Sequence, residues 1–189
     1  MARLTLVTGV FLLCGGYVLC QKCVFSHHQQ KKFNENSQLL LEKMGGDFPL
    51  QCLSEKMSMK FPRKVMKAKD RQTQRSLQLT IFNILHPINK INEILSKNLD
   101  KTGWDIRRTD MFIQGLRRQT DRLAECLSED LDGKANNKLK KYFKEMKKYI
   151  QEKTYSSCAW ENIRAELKLC LKIVDRLSSK LLTLKGRRE

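Results

Sequence analysis

The chain has 189 residues, 37 Lys+Arg against 20 Asp+Glu, a net charge of +17 and seven cysteines. That length supports one domain with one sizeable core. The charge favours anionic partners such as nucleic acid, heparan-type glycans, anionic membranes or acidic protein surfaces, without choosing among them.

At the N-terminus, Arg3 precedes an apolar run from Leu4 to Leu19 broken by Gly9, Gly15 and Gly16. The run is too short and glycine-rich for a good membrane span, and Val18 and Cys20 suit a signal-peptidase site. Residues 1–20 are therefore expected to be a signal peptide rather than a signal anchor, with 21–189 forming a single exported domain. Losing Arg3 lowers the net charge from +17 to +16. Five cysteines remain: Cys23, Cys52, Cys126, Cys158 and Cys170. In an oxidising compartment these suggest two disulfides and one spare thiol. No CxxC pair argues for zinc, and no Asn-x-Ser/Thr sequon argues for N-glycosylation.

Five amphipathic stripes follow, with almost no period-two alternation. Phe33, Ser37, Leu40 and Met44 form the first, which stops at Gly45-Gly46. A long loop from Gly45 to Asp70 holds Pro49, Cys52 and Pro62, and a loop of that length is usually functional. Leu77, Ile81, Ile84, Ile88, Ile91 and Leu95 form the second stripe. Pro87 within it either kinks the helix or begins a new segment. Lys97–Gly103 joins it to a third stripe of Ile106, Ile113, Leu116, Leu123 and Leu127. A polar turn, Asp130–Asn137, leads to Leu139, Tyr142, Phe143, Met146, Tyr149 and Ile150. The last stripe is Ile163, Leu167, Cys170, Val174, Leu177 and Leu181, and Lys185–Glu189 reads as a frayed basic tail. Such stripes bury themselves only against one another, so the expected fold is an all-α bundle.

Enzyme signatures are missing: the sequence has no P-loop, GxSxG, HExxH or dinucleotide glycine motif. His27-His28 near Cys23 reads as a polar N-terminal stretch rather than a metal site, and Cys158 has no histidine near it in sequence. Neither a metal nor a cofactor is expected. Lys138, Lys140, Lys141, Lys144, Lys147 and Lys148 surround the fourth stripe. An isolated peptide of this kind would resemble a membrane-active helix, but a bundle helix with a solvated lysine face is the simpler reading. Cys170 falls on an apolar stripe, where a buried thiol acts as a small apolar group.

One run is more specific. Tyr155-Ser156-Ser157-Cys158-Ala159-Trp160-Glu161-Asn162-Ile163-Arg164-Ala165-Glu166 resembles the start of the last helix of type I interferons. Leu139-Lys140-Lys141-Tyr142-Phe143, Thr102-Gly103-Trp104 and Phe48-Pro49-Leu50-Gln51-Cys52-Leu53 resemble the family's fourth helix, third-helix start and first loop. The resemblance implies a five-helix up-up-down-down cytokine bundle with a long first crossover, and disulfides Cys23–Cys126 and Cys52–Cys158 with Cys170 spare. It further implies a secreted ligand without catalysis that joins two cell-surface receptor chains, activates their kinases and induces an antiviral state. Matched by position, the high-affinity receptor face falls on Leu53, Lys56, Arg164, Ala165 and Lys168. Arg164 and Lys168, one helical turn apart, are expected to present on one side. Lys140 matches a basic position of the second receptor face. Lys56 stands where many members carry arginine, and lysine lacks the forked guanidinium. Other readings are a different helical cytokine, or a cationic antimicrobial or glycan-binding protein. The charge and the basic tail also suggest retention on heparan-type glycans, without specific nucleic-acid binding.

Overall fold

The computed structural model describes residues 28–63, 73–127 and 136–185. The proposed signal peptide, Cys23, His27, most of the Asp130–Asn137 turn and the last four residues of the tail lie outside them. The described residues form five α-helices: α1 (28–45), α2 (Gln74–Leu95), α3 (Ile106–Leu127), α4 (Asn137–Glu152) and α5 (Ser157–Lys185). Short 3₁₀ turns at Leu50–Glu55 and Leu99–Lys101 interrupt the connections, and there is no strand among the described residues. No described helix is long and apolar enough to cross a membrane.

Short polar side chains start the helices. The Thr73 hydroxyl accepts from the Ser76 amide, and the Asn136 side chain accepts from the Lys138 amide. Asp105 accepts from the Arg108 amide at 2.8 Å, and Ser156 from the Ala159 amide at 3.3 Å. Each satisfies a first-turn N–H that the helix itself leaves unpaired.

The second, fourth and fifth stripes are buried almost throughout, and α5 runs through the centre with Trp160, Leu167, Cys170, Val174 and Leu177 enclosed. The third departs at its first member. Ile106 is 66% exposed, because it lies to one side of the line of Thr109, Phe112, Leu116, Leu123 and Leu127 that α3 turns to the core. Pro87 neither ends nor restarts α2, which continues from Gln74 to Leu95. Proline sacrifices one helical hydrogen bond there, while Ile84, Leu85 and Ile88 around it are fully buried and hold the helix in place.

Side-chain pairs give the helix directions. Asn34 reaches Leu171 and Asp175, whereas Glu42 reaches Lys168, so α1 and α5 are antiparallel. Gln29 meets Arg122 while the Met44 carbonyl accepts from the Asp105 amide, so α1 and α3 are antiparallel. Tyr142 meets Cys170 and Glu166, while Tyr149 and Asn162 both reach the Glu55 carbonyl, so α4 opposes α5.

Candidate functional site

The first long connection is fixed against the start of α5. Cys52 is disulfide-bonded to Cys158, with their Cα atoms 5.1 Å apart across 106 positions. Asn162, one turn further along α5, is buried and accepts from the Met57 amide at 3.0 Å. Its amide nitrogen donates to the carbonyls of Glu55 at 3.2 Å and Cys158 at 2.9 Å. The Tyr149 hydroxyl also donates to the Glu55 carbonyl at 3.0 Å, and Lys153 pairs with the Glu55 carboxylate at 3.2 Å. Every buried polar group in this list has a partner, which is the condition for a fixed loop rather than a floppy one.

A charged cluster lies under the same loop. Arg164 is only 7% exposed. Its guanidinium donates to Glu161 from Nε at 3.0 Å and from Nη2 at 2.6 Å, and from Nη1 to the Gly46 carbonyl at 2.8 Å. Longer bonds, 3.4 Å each, reach the carbonyls of Leu41 and Asp47. The other Glu161 oxygen accepts from the Trp104 indole at 2.6 Å. Helix α1 ends here, with the Gly46 amide bonded to the Glu42 carbonyl at 3.1 Å. Gly46 takes φ +65°, which glycine adopts without steric cost, and Arg164 satisfies the carbonyls of Gly46 and Asp47 just past the helix end.

The residues singled out by sequence thus separate. Leu53 (52% exposed), Lys56, Ala165 and Lys168 reach solvent around the junction. Leu50, which sequence reasoning passed over, is 81% exposed on the same 3₁₀ turn. Lys168 pairs with Glu42 of α1 at 3.0 Å, and this lysine holds the Glu42 carboxyl below its usual range. Arg164 is not displayed beside Lys168 as the one-turn spacing predicts. The carbonyls of the α1 terminus and Glu161 draw its side chain inward. Lys140 is exposed on α4, away from this junction. Cys126 is half-buried in the last turn of α3, and its expected pairing with Cys23 lies outside the described residues. Glu161 and Asn162 are the functional positions that sequence reasoning missed. Their only signal was position, Glu161 closing the Cys-Ala-Trp-Glu run and Asn162 following it, since buried polar residues look like surface ones in a helical pattern.

Comparison with known proteins supplies the family. The family model for the interferon alpha/beta domain matches residues 26–181. Interferon beta of Tachyglossus aculeatus aculeatus is 33% identical, over 90% of this chain and 92% of its own. The chain belongs to the interferon alpha/beta family. Human interferon epsilon is 31% identical over 81% of this chain and 76% of its own. Among solved structures, zebrafish interferon 2 has a TM-score of 0.62 at 25% identity, covering 78% of this chain and 96% of its own. Zebrafish interferon 1 superposes with a TM-score of 0.68 at 22% identity, covering 82% and 98% respectively, which attests the fold. The interferons are cytokines, not enzymes.

One buried polar group in this interferon serves the core instead. The Tyr142 hydroxyl donates to Glu166 at 2.5 Å and lies 3.9 Å from the Cys170 sulfur. Burial raises the Glu166 carboxyl, the Tyr142 hydrogen bond opposing in part, and burial pushes the Cys170 thiol up to about 12. A thiol held in that form is a poor nucleophile. The described residues contain no His/Cys/Asp/Glu cluster suited to a metal.

Proposed function

We propose that this interferon is a secreted ligand that joins two type I interferon receptor chains, activating the kinases on their cytoplasmic tails and inducing an antiviral state. Residues 1–20 direct export and are removed. The observation that carries this reading is the loop–α5 junction. Leu53, Lys56, Ala165 and Lys168 face solvent there on a surface fixed by the Cys52–Cys158 bond and by Asn162. A surface ordered before binding loses little conformational entropy when its partner arrives. Leu50 and Leu53 supply an apolar centre, and Lys56 and Lys168 a charged rim, the usual anatomy of a protein interface. Arg164 acts beneath it as a positioning residue that sets the loop. Lys140 is assigned to the second receptor chain. Binding alone drives the response, because two chains held on one ligand bring their kinases within reach of each other.

The membrane-active alternative requires the apolar stripe of α4 at the lipid surface. Leu139, Tyr142, Phe143, Met146 and Ile150 are buried in the bundle, so that reading requires the protein to unfold.

The test uses reporter cells carrying both receptor chains of the matched species, and cells lacking either one. A response lost in both deletions supports the proposal. A response that survives either deletion, or silence from well-folded protein, overturns it. Leu53→Ala and Ala165→Glu are expected to weaken binding to the high-affinity chain at least about tenfold while leaving the unfolding midpoint unchanged.

A further inference from the structure

Five lysines converge on one groove between α2 and α4. It has a volume of about 580 Å³, and its walls carry Lys90, Lys140, Lys144, Lys147 and Lys148. Pro87 and Phe143 contribute its apolar floor, and His86 stands at its edge. Acidic neighbours take up part of this charge. Glu93 pairs with Lys90 at 2.9 Å and lies within Coulomb range of Lys147, and Glu152 pairs with Lys148 at 3.3 Å. Lys140, Lys144 and Lys147 are exposed and form no ion pair among the described residues. Their i, i+4, i+7 spacing places them along one face of α4, spanning about 10 Å of the helix axis.

We propose that this groove binds a sulfated polysaccharide of the heparan type. A row of like charges with few acidic partners is stabilised by a linear polyanion laid along it. Lysine suits sulfate, since a compact hydrated ammonium needs only a point contact and no forked geometry. The half-buried Pro87 ring and the lysine stems offer sugar C–H faces an apolar surface that a free inorganic anion would not use. A single-stranded nucleic acid fits less well, because it gains affinity by stacking its bases on exposed aromatic rings. Phe143 is 4% exposed, and His86 is already stacked on Phe82 at 5.2 Å. The site lies within the bundle and does not depend on the basic C-terminal tail.

The deciding experiment measures binding of a size-defined heparin oligosaccharide to the purified, oxidised protein at physiological salt. Two double variants are compared. Lys144→Gln with Lys147→Gln removes charge from the groove, and Lys172→Gln with Lys180→Gln removes the same charge from exposed positions of α5. The groove variant is expected to bind at least about fivefold more weakly, having lost two charge-assisted contacts, while the α5 variant stays close to the parent. Equal losses in both would mean that only net charge matters, and no loss in the groove variant would place the glycan elsewhere. Either result overturns the site. An oligonucleotide of matched charge that binds the groove more tightly than the heparin fragment, with the same dependence on Lys144 and Lys147, overturns the choice of partner.

Discussion

The Arg164 guanidinium donates to the main-chain oxygen of Gly46 at 2.8 Å, joining α5 to the end of α1 across 118 positions. The same side chain neutralises the buried carboxylate of Glu161, whose other oxygen holds Trp104. Removing one partner of such a pair leaves an uncompensated buried charge. Arg164→Ala is therefore expected to cost about 3–5 kcal/mol, measured by denaturant unfolding, and to lower receptor affinity through the displaced loop. Arg164→Lys restores the charge without the fork and recovers only part of the stability. A stability near that of the parent for Arg164→Ala would refute the clamp.

Gly45 provides a second handle on that cluster. A Cβ at this position would lie 2.7 Å from Nε and 2.9 Å from Cζ of Arg164. Its substitution by alanine should displace the guanidinium and destabilise the fold by about 1–3 kcal/mol. In the Arg164→Ala background the same substitution should cost much less, a coupling that a double-mutant cycle reads directly.

Replacing Cys52 and Cys158 by serine opens a loop of 106 positions. The expected loss is about 2–5 kcal/mol. The hydrogen bonds of Asn162 and Tyr149 to the loop should then be insufficient to keep residues 50–57 ordered. Amide exchange at Met57 is the sensitive readout, since its N–H is held by the Asn162 side chain. Unchanged protection there would mean that the polar contacts alone fix the loop.

Glu166 supplies a pH dependence. Its carboxyl is raised by burial, so the folded protein binds this proton more tightly than the unfolded chain does. The resulting stability is complete below the ordinary carboxylate value of about 4.3 and is lost as pH rises through the folded value. Glu166→Gln keeps an acceptor for Tyr142 and removes the charge. It should match the parent near pH 4 and melt higher near pH 7.5, by less than about 3 °C given the partial exposure of the group. An equal offset at both pH values would contradict the assignment.

Most of the secondary structure was legible because helical periodicity is a local property. The stripes from Leu77 to Leu95, Leu139 to Ile150 and Ile163 to Leu181 coincide with buried faces of α2, α4 and α5. The Cys-Ala-Trp-Glu run placed the family, and Cys52 with Cys158 placed one disulfide. Cys170, on an apolar stripe, is enclosed as that position implied. Pro87 was ambiguous in sequence because its cost as a helix breaker is fixed, whereas the burial of Ile84, Leu85 and Ile88 that outweighs it depends on α3, α4 and α5. Ile106 continued the periodic pattern yet emerged exposed, since a residue at the margin of an apolar stripe is covered only where a neighbouring element reaches it.

By itself the sequence determined the all-α class, the apolar faces and the family, each of which rests on residues close together along the chain. Tertiary structure alone decided what the polar residues of the last helix do. Arg164 and Lys168 are one turn apart, yet one is buried against the carbonyls at the end of α1 and the other pairs with Glu42 at the surface. Glu161, three positions before Arg164, supplies its counter-charge, but the carbonyls that complete its burial and the Glu42 that meets Lys168 lie more than 100 positions away, and whether a buried charge is stable depends on such partners being brought to it.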